Sequence, residues 1–145
     1  QEACMTDTLN HNSRYNRAVW FDIFVNDLDR AMAFYRAVLG CAISKENDQG
    51  RTFAVLAGLG GNSGSLIPVR EVLATQGVHA QSVHAAAGVL LYLNVEGRLR
   101  DALAEVHRFG GEVLEDVRPM GLHGFRAVVL DSEGNRIALH APQDR

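Results

Sequence analysis

Basic residues are not in excess. The chain carries 14 lysines and arginines against 17 aspartates and glutamates, a formal net charge of −3. A duplex-binding surface needs a clustered positive field, so nucleic acid is not an expected partner. Cysteine is scarce as well. Cys4 and Cys41 alone cannot build a disulfide framework, and a reducing cytoplasm is the expected location. Long apolar runs are missing: the longest, around Ala85 to Leu93, is roughly half of the ~20 residues a membrane helix needs. Gln1 to Asn16 is polar throughout and shows no charged-then-apolar targeting signal. What remains is a balanced chain of 145 residues, 47% hydrophobic and 21% charged. Such a chain is one ordinary globular domain or two small modules that share a core.

Residues 1–16 have no period and read as an N-terminal arm. Ala18 to Val25 is short and rich in β-branched and aromatic residues, as a strand is. Asp27 then stands at a helix N-cap position. Leu28, Ala31, Tyr35, Val38 and Leu39 follow with helical spacing, and Gly40 stops the helix. Ala42–Ser44, Thr52–Leu56 and Ser65–Val69 read as short strands separated by glycine-marked turns. Residues 70–86 lack a strand pattern and form a linker. The order then recurs: a strand over Gly88–Val95, and a helix through Leu99, Ala102, Leu103 and Val106 closed by Gly110. Strands over Glu112–Val117, Phe125–Leu130 and Arg136–His140 complete it.

The recurrence is an internal repeat. Val25 and Val95 are 70 positions apart, as are Gly40 and Gly110, and Gly61-Asn62 and Gly134-Asn135 are 73 apart. The order β-α-β-β-β therefore occurs twice, over 17–69 and 87–145. A single unit leaves one sheet face bare, so the two units must face each other, or a second chain, to bury enough apolar surface. Alternation puts Val19, Phe21, Ile23 and Val25 on one face of the first strand and Trp20, Asp22 and Phe24 on the other. In the second copy Leu91, Leu93 and Val95 oppose Leu90, Tyr92 and Asn94, and on the last strand Arg136, Ala138 and His140 share a face. The purely apolar faces suit the helices. The mixed faces suit the wall of a cavity.

The segment Val25-Asn26-Asp27-Leu28-Asp29-Arg30-Ala31, with Phe34-Tyr35 and Leu39-Gly40, resembles the vicinal oxygen chelate superfamily, which groups glyoxalases, bleomycin-resistance proteins and extradiol dioxygenases. Phe109-Gly110-Gly111 and Leu130-Asp131-Ser132-Glu133-Gly134-Asn135-Arg136-Ile137 extend the resemblance over residues 18–141, and the Trp20-Phe21-Asp22 and Leu139-His140 segments resemble its glyoxalase-like branch. The resemblance implies an α+β fold of two βαβββ modules whose mixed sheet curls around a cavity. It also implies one divalent metal held by His, Glu or Gln at four strand positions. Those positions are Trp20, Ser65, Leu90 and Ala138 here, and none carries a donor for Zn, Ni, Mn or Fe. No metal and no other cofactor is therefore expected.

Each remaining candidate has two readings. Trp20 is a stacking platform or a space-filler where a metal ligand would stand. Asp22 is a buried anion serving a cationic ligand or general-base chemistry, or else a structural group paired with Arg136 or bonded to Tyr92. Tyr92 and Asn94 orient a carbonyl or hydroxyl, or satisfy each other in the sheet. His140 faces the cavity side as an acid-base or binding group, and His123, between Gly121 and Gly124, sits where a loop gates the mouth. His79 and His84 fall in the linker, His107 on a helix surface, and Cys41 at a strand start as an inert buried thiol. Gly58 to Ser65 matches neither a phosphate loop nor a nucleophile elbow.

The expected function is a metal-free protein that binds a small organic molecule. Trp20, Asp22, Phe24, Leu90, Tyr92, Asn94, His123, Arg136 and His140 form the candidate binding set, and an aromatic wall with one acid favours a planar or cationic ligand. A homodimer is expected, with the modules paired within the chain or swapped between chains. The alternative is a glyoxalase-like lyase or isomerase, working through Asp22 and His140 without metal or through metal ligands elsewhere. A third reading is an interaction module whose cavity is filled by its own side chains.

Overall fold

The structure, a computed structural model, describes residues 17–59, 61–71 and 88–145; the expected arm over 1–16 and nearly all of the expected linker lie outside the described residues. The first half forms β1 (Trp20–Val25), α1 (Leu28–Leu39), β2 (Ile43–Asp48), β3 (Arg51–Leu56) and β4 (Ser63–Pro68). The second forms β5 (Leu91–Asn94), α2 (Leu99–Arg108), β6 (Glu112–Pro119), β7 (Phe125–Leu130) and β8 (Arg136–Ala141), with one 3-10 turn at Gly121–His123. The strand orders are β1-β4-β3-β2 and β5-β8-β7-β6. In each sheet the first strand runs parallel to the last, and the other neighbours are antiparallel. This is the α+β arrangement of two βαβββ modules.

Local chemistry sets the element ends. The Asp27 side chain accepts from the Arg30 N–H at 3.0 Å and caps α1, and Gly40 ends it in the left-handed region at φ 66°. Arg98, at the start of α2, makes no cap with its side chain. It reaches instead to the other end of α1, where its guanidinium donates to the Val38 and Ala37 carbonyls that the helix leaves unpaired. β2 extends well past the expected Ser44. Its outer residues are exposed and polar, so hydrophobic patterning misses them, yet they pair with β3 through a turn at Asn47–Gly50.

One core runs through both modules. Phe34, Tyr35 and Val38 of α1 pack with Leu99, Ala102 and Val106 of α2, and both helices cover Ile23, Val25, Leu66, Leu93, Ile137 and Leu139. The modules therefore pair within the chain, helix against helix, and the Trp20 and Tyr92 faces of the sheets are left open. Backbone approaches are close at two glycines. At Gly64 an added Cβ would collide with the Phe21 carbonyl and ring, and at Gly111 it would lie 2.7 Å from Cε2 of Phe34.

Across the core the β7–β8 turn clamps the start of α1. Asp131, 2% exposed, accepts from the Tyr35 hydroxyl at 2.5 Å, from the Glu133 and Asn135 N–H groups at 2.8 Å each, and from Asn135 Nδ2 at 3.0 Å. The Glu133 side chain, fully covered, accepts from the Asn26 and Asp27 N–H groups at 2.9 and 2.7 Å and from Arg30 Nε at 2.7 Å. Asn135 Nδ2 also donates to the Phe24 carbonyl at 2.9 Å. A buried carboxylate is tolerated only with such a set of donors. Burial and the neighbouring Asp131 push the Tyr35 hydroxyl well above its ordinary range, so it remains a donor. Burial also pushes Glu133 up, but bonds from Arg30, the Asp27 N–H and Ser132 outweigh it and bring the carboxyl from 4.5 down to about 2.

Two outcomes follow from the clamp. Tyr35→Phe removes one donor from a buried carboxylate, and denaturant unfolding should show a loss of about 1.5–3 kcal/mol. Glu133 stays ionised in the folded chain at pH values where the unfolded chain already protonates it. Its stabilisation is thus complete above about pH 4.5 and fades as the pH falls toward 2. Glu133→Gln should lower stability at neutral pH and flatten the decline over that interval, as read from unfolding free energies measured at a series of pH values.

Candidate functional site

The open face of the first sheet carries an aromatic–acid–aromatic strip. Burial alternates along β1, with Ile23 and Val25 in the core and Trp20 (51% exposed), Asp22 and Phe24 (49% exposed) on the uncovered side. In register these three lie beside Ser63, Ser65 and Ile67 of β4. Asp22 is exposed, not buried, and among the described residues it forms neither the ion pair with Arg136 nor the hydrogen bond to Tyr92 that the sequence allowed. The physical reason is that β1 is a sheet edge on which Asp22 has only Ser65 beside it in register, while the Tyr92 hydroxyl is engaged elsewhere.

That engagement belongs to a polar group on the open face of the second sheet. Arg126 donates to the Tyr92 hydroxyl through Nη1 and to Glu115 Oε1 through Nε at 3.0 Å, and Arg118 Nε donates to the same oxygen at 2.7 Å. The Tyr92 and Glu115 bonds raise the Arg126 guanidinium further, and the Arg118 and Arg126 bonds lower Glu115. Both groups stay charged across the neutral range. His140 lies beside Tyr92, with ring centroids 6.4 Å apart, and its Nε2 is 2.6 Å from the His123 carbonyl. A carbonyl only accepts, so Nε2 carries the proton there. His140 thus pins the 3-10 turn rather than offering that nitrogen to a ligand. The His123 ring is exposed on the turn, Arg136 is exposed at the start of β8, and His107 is exposed on α2. His79 and His84 lie outside the described residues.

Arg126 and Glu115 were not among the residues the sequence singled out. The signal was present in β7. Alternation puts Arg126, Val128 and Leu130 on one face, and the register pairs Arg126 with His140. A partner assignment between the last two strands would have found it.

Between the edge strands β1 and β5 lies a cavity of about 340 Å³. Of the sequence-selected residues, Trp20, Tyr92 and Asn94 line it; Asp22, Phe24, Leu90, His123, Arg136 and His140 do not. Phe21, Leu39, Leu56, Leu91 and Leu93 make its walls apolar. Cys41 is half-buried in the same wall, and burial pushes its thiol above the ordinary value, so it is neutral at neutral pH.

The positions that would hold a metal carry indole, hydroxyl, isobutyl and methyl groups. Ser65 is buried beside Asp22 in register, and Ala138 is buried beside Tyr92. Such groups do not fit a divalent transition ion. Among the described residues no three His, Cys, Asp or Glu side chains come together to hold one either.

The comparisons with known proteins agree with this architecture. No curated protein sequence matches the chain significantly. Solved structures do. A hypothetical protein from S. aureus superposes with a TM-score of 0.68 at 19% identity, over 87% of this chain and 94% of that one. A glyoxalase/bleomycin resistance protein/dioxygenase family enzyme from Burkholderia phytofirmans PsJN gives 0.65 at 19% identity, over 85% and 96%. A genomically encoded fosfomycin resistance protein from Listeria monocytogenes gives 0.57 at 12% identity, over 87% and 93%. At these identities the likeness concerns the fold. A family model matches residues 17–139, so the repeat, the paired βαβββ modules and the sequence profile lead to one assignment: the chain belongs to the glyoxalase/bleomycin resistance protein/dioxygenase superfamily.

Proposed function

We propose that the chain is a small-molecule-binding member of this superfamily that works without a metal and holds a planar organic cation on the Trp20–Asp22–Phe24 strip. One observation carries this reading: an exposed acid, without a partner among the described residues, stands between two half-exposed aromatic rings on the open side of a sheet. Large apolar side chains left in water mark contact surfaces. Ring faces attract cations, and a carboxylate between two rings adds a counter-charge. Tyr92 and Asn94, near Trp20 across the cavity, supply polar groups that orient the bound molecule. A superfamily named in part for bleomycin resistance, and a structural neighbour named for fosfomycin resistance, support an organic ligand. Homodimerisation through the open faces would cover the remaining exposed aromatic area, and the cytoplasm is the proposed location. Among the described residues no helix is long and apolar enough to cross a membrane.

A glyoxalase-like lyase or isomerase is the second reading, and the Tyr92–Arg126 pair favours it. There a guanidinium and a phenol hydroxyl stand bonded on an open sheet face, a pair suited to hold a substrate oxygen.

Trp20 is the only tryptophan, so its fluorescence reports the strip directly. N-methylquinolinium should quench it saturably, and neutral quinoline at the same concentrations should not. Asp22→Asn should weaken the cation by about three- to tenfold, the size of a half-exposed cation–π and ion-pair contribution. Equal quenching by both compounds, or an unchanged affinity in Asp22→Asn, would overturn the reading.

A further inference from the structure

The open faces of the two sheets differ in charge, and the strand register shows where. Pairing sets Arg118 of β6 opposite Arg126 of β7, Arg126 opposite His140 of β8, and His140 beside Asn94 of β5. One row of polar side chains thus crosses the whole second sheet. The next row on the same face runs Glu115, Val128, Ala138, Tyr92. By the repeat offsets of 70 and 73, Asn94, Arg126 and His140 stand where the first half has Phe24, Phe53 and Ile67. The first copy builds the same sheet with apolar groups at these places, so the fold itself does not require a base there. Tyr92, in turn, stands where the first half has Asp22.

Arg126 is the centre of the polar row, and its side chain is only 16% exposed. It reaches Tyr92 and Glu115 at opposite ends of the next row, and so spans Val128 and Ala138, both fully buried. Its Cζ stands 5.8 Å from the centre of the Tyr92 ring. Nε and Nη1 make these bonds. Nη2, like both Nη groups of Arg118, has no partner among the described residues. Glu115 is the one carboxylate bonded to either guanidinium among the described residues. Two positive charges therefore share one negative charge, and guanidinium groups do not lose their protons in proteins. The group carries a surplus positive charge where water has limited access to it.

From this we propose that Arg126 and Arg118 hold a carboxylate of the same ligand whose cationic ring lies on the Trp20–Asp22–Phe24 strip, so that the ligand is a zwitterion. The inference rests on the strip reading and extends it. Trp20 of β1 and Tyr92 of β5 line one cavity, which brings the strip and the Tyr92-bonded guanidinium to a common space. Asp22 matches the cation, and the surplus guanidinium charge matches the anion. A planar carboxylate accepts two N–H bonds from one guanidinium fork, and such charge-assisted bonds are the strong ones. A simple cation leaves the basic row unused, and a simple anion meets Asp22 on the facing strip.

N-(carboxybutyl)quinolinium is such a zwitterion at neutral pH, and N-(carbamoylbutyl)quinolinium is a cation of the same shape. Quenching of Trp20 in the full chain reports the binding of both. The acid should bind about five- to twentyfold more tightly than the amide, the size of a charge-assisted bond at a half-covered site. Arg126→Gln should remove that preference and leave the affinity for the amide within about twofold of the unaltered chain. Arg126→Met, which keeps an unbranched apolar stem over Val128 and Ala138, serves if Arg126→Gln does not fold. Asp22→Asn should weaken the acid and the amide alike. If Arg126 only covers the sheet, its replacement lowers the melting temperature and does not move the ratio of the two affinities. Equal binding of acid and amide, or a preference that survives in a folded Arg126 variant, would overturn the proposal and leave the strip reading standing. Absence of quenching by either compound would overturn the strip reading, and the zwitterion with it.

Discussion

Two carboxylates from a single turn hold the halves of this protein in register. Asp131 is almost wholly excluded from water, and its charge is tolerated because four donors from two modules converge on it. Glu133 does for the start of α1 what a capping side chain does locally, but from more than a hundred residues away. The energetic asymmetry of buried charge makes such a device specific. Any slip of one module along the other would strand an ionised group in the core, a far larger cost than the loss of a few apolar contacts. The helix–helix core supplies bulk stabilisation, and the turn selects the one relative placement in which the open faces lie as they do.

Much of the fold was legible because it rests on local rules. Asp27 caps α1 and Gly40 ends it in the left-handed region, as side-chain chemistry dictates for those positions. The burial alternation along β1 follows the pleat, so the split between Ile23–Val25 and Trp20–Asp22–Phe24 is readable from the sequence. The second half of β2 was not legible, because an exposed edge of polar residues carries no hydrophobic signal and is a strand only through its partner.

The site was legible in part and for the same reason. Trp20, Tyr92 and Asn94 were found from strand faces alone, whereas Arg126 and Glu115 depend on which strands are neighbours. The environment of Asp22 was misjudged: a sheet face can be drawn from sequence, but what covers it cannot. The two motifs that carry the family resemblance, around Asp27 and around Asp131, looked like separate signatures. In space they are two sides of one contact, a relation set by tertiary packing across the duplicated halves.

The divergence of the two copies also decides which associations are forbidden. A second-half module meeting another second-half module would bring Asp131 toward Glu105, which stands where the first copy has Tyr35, and would set acid against acid. Two first-half modules would meet with no carboxylate on either turn to seize the waiting helix start. The clamp therefore needs one copy of each kind. The pairing of the two halves is thus heterologous at this contact, and the tyrosine-to-glutamate difference between the copies is part of what sets the mate.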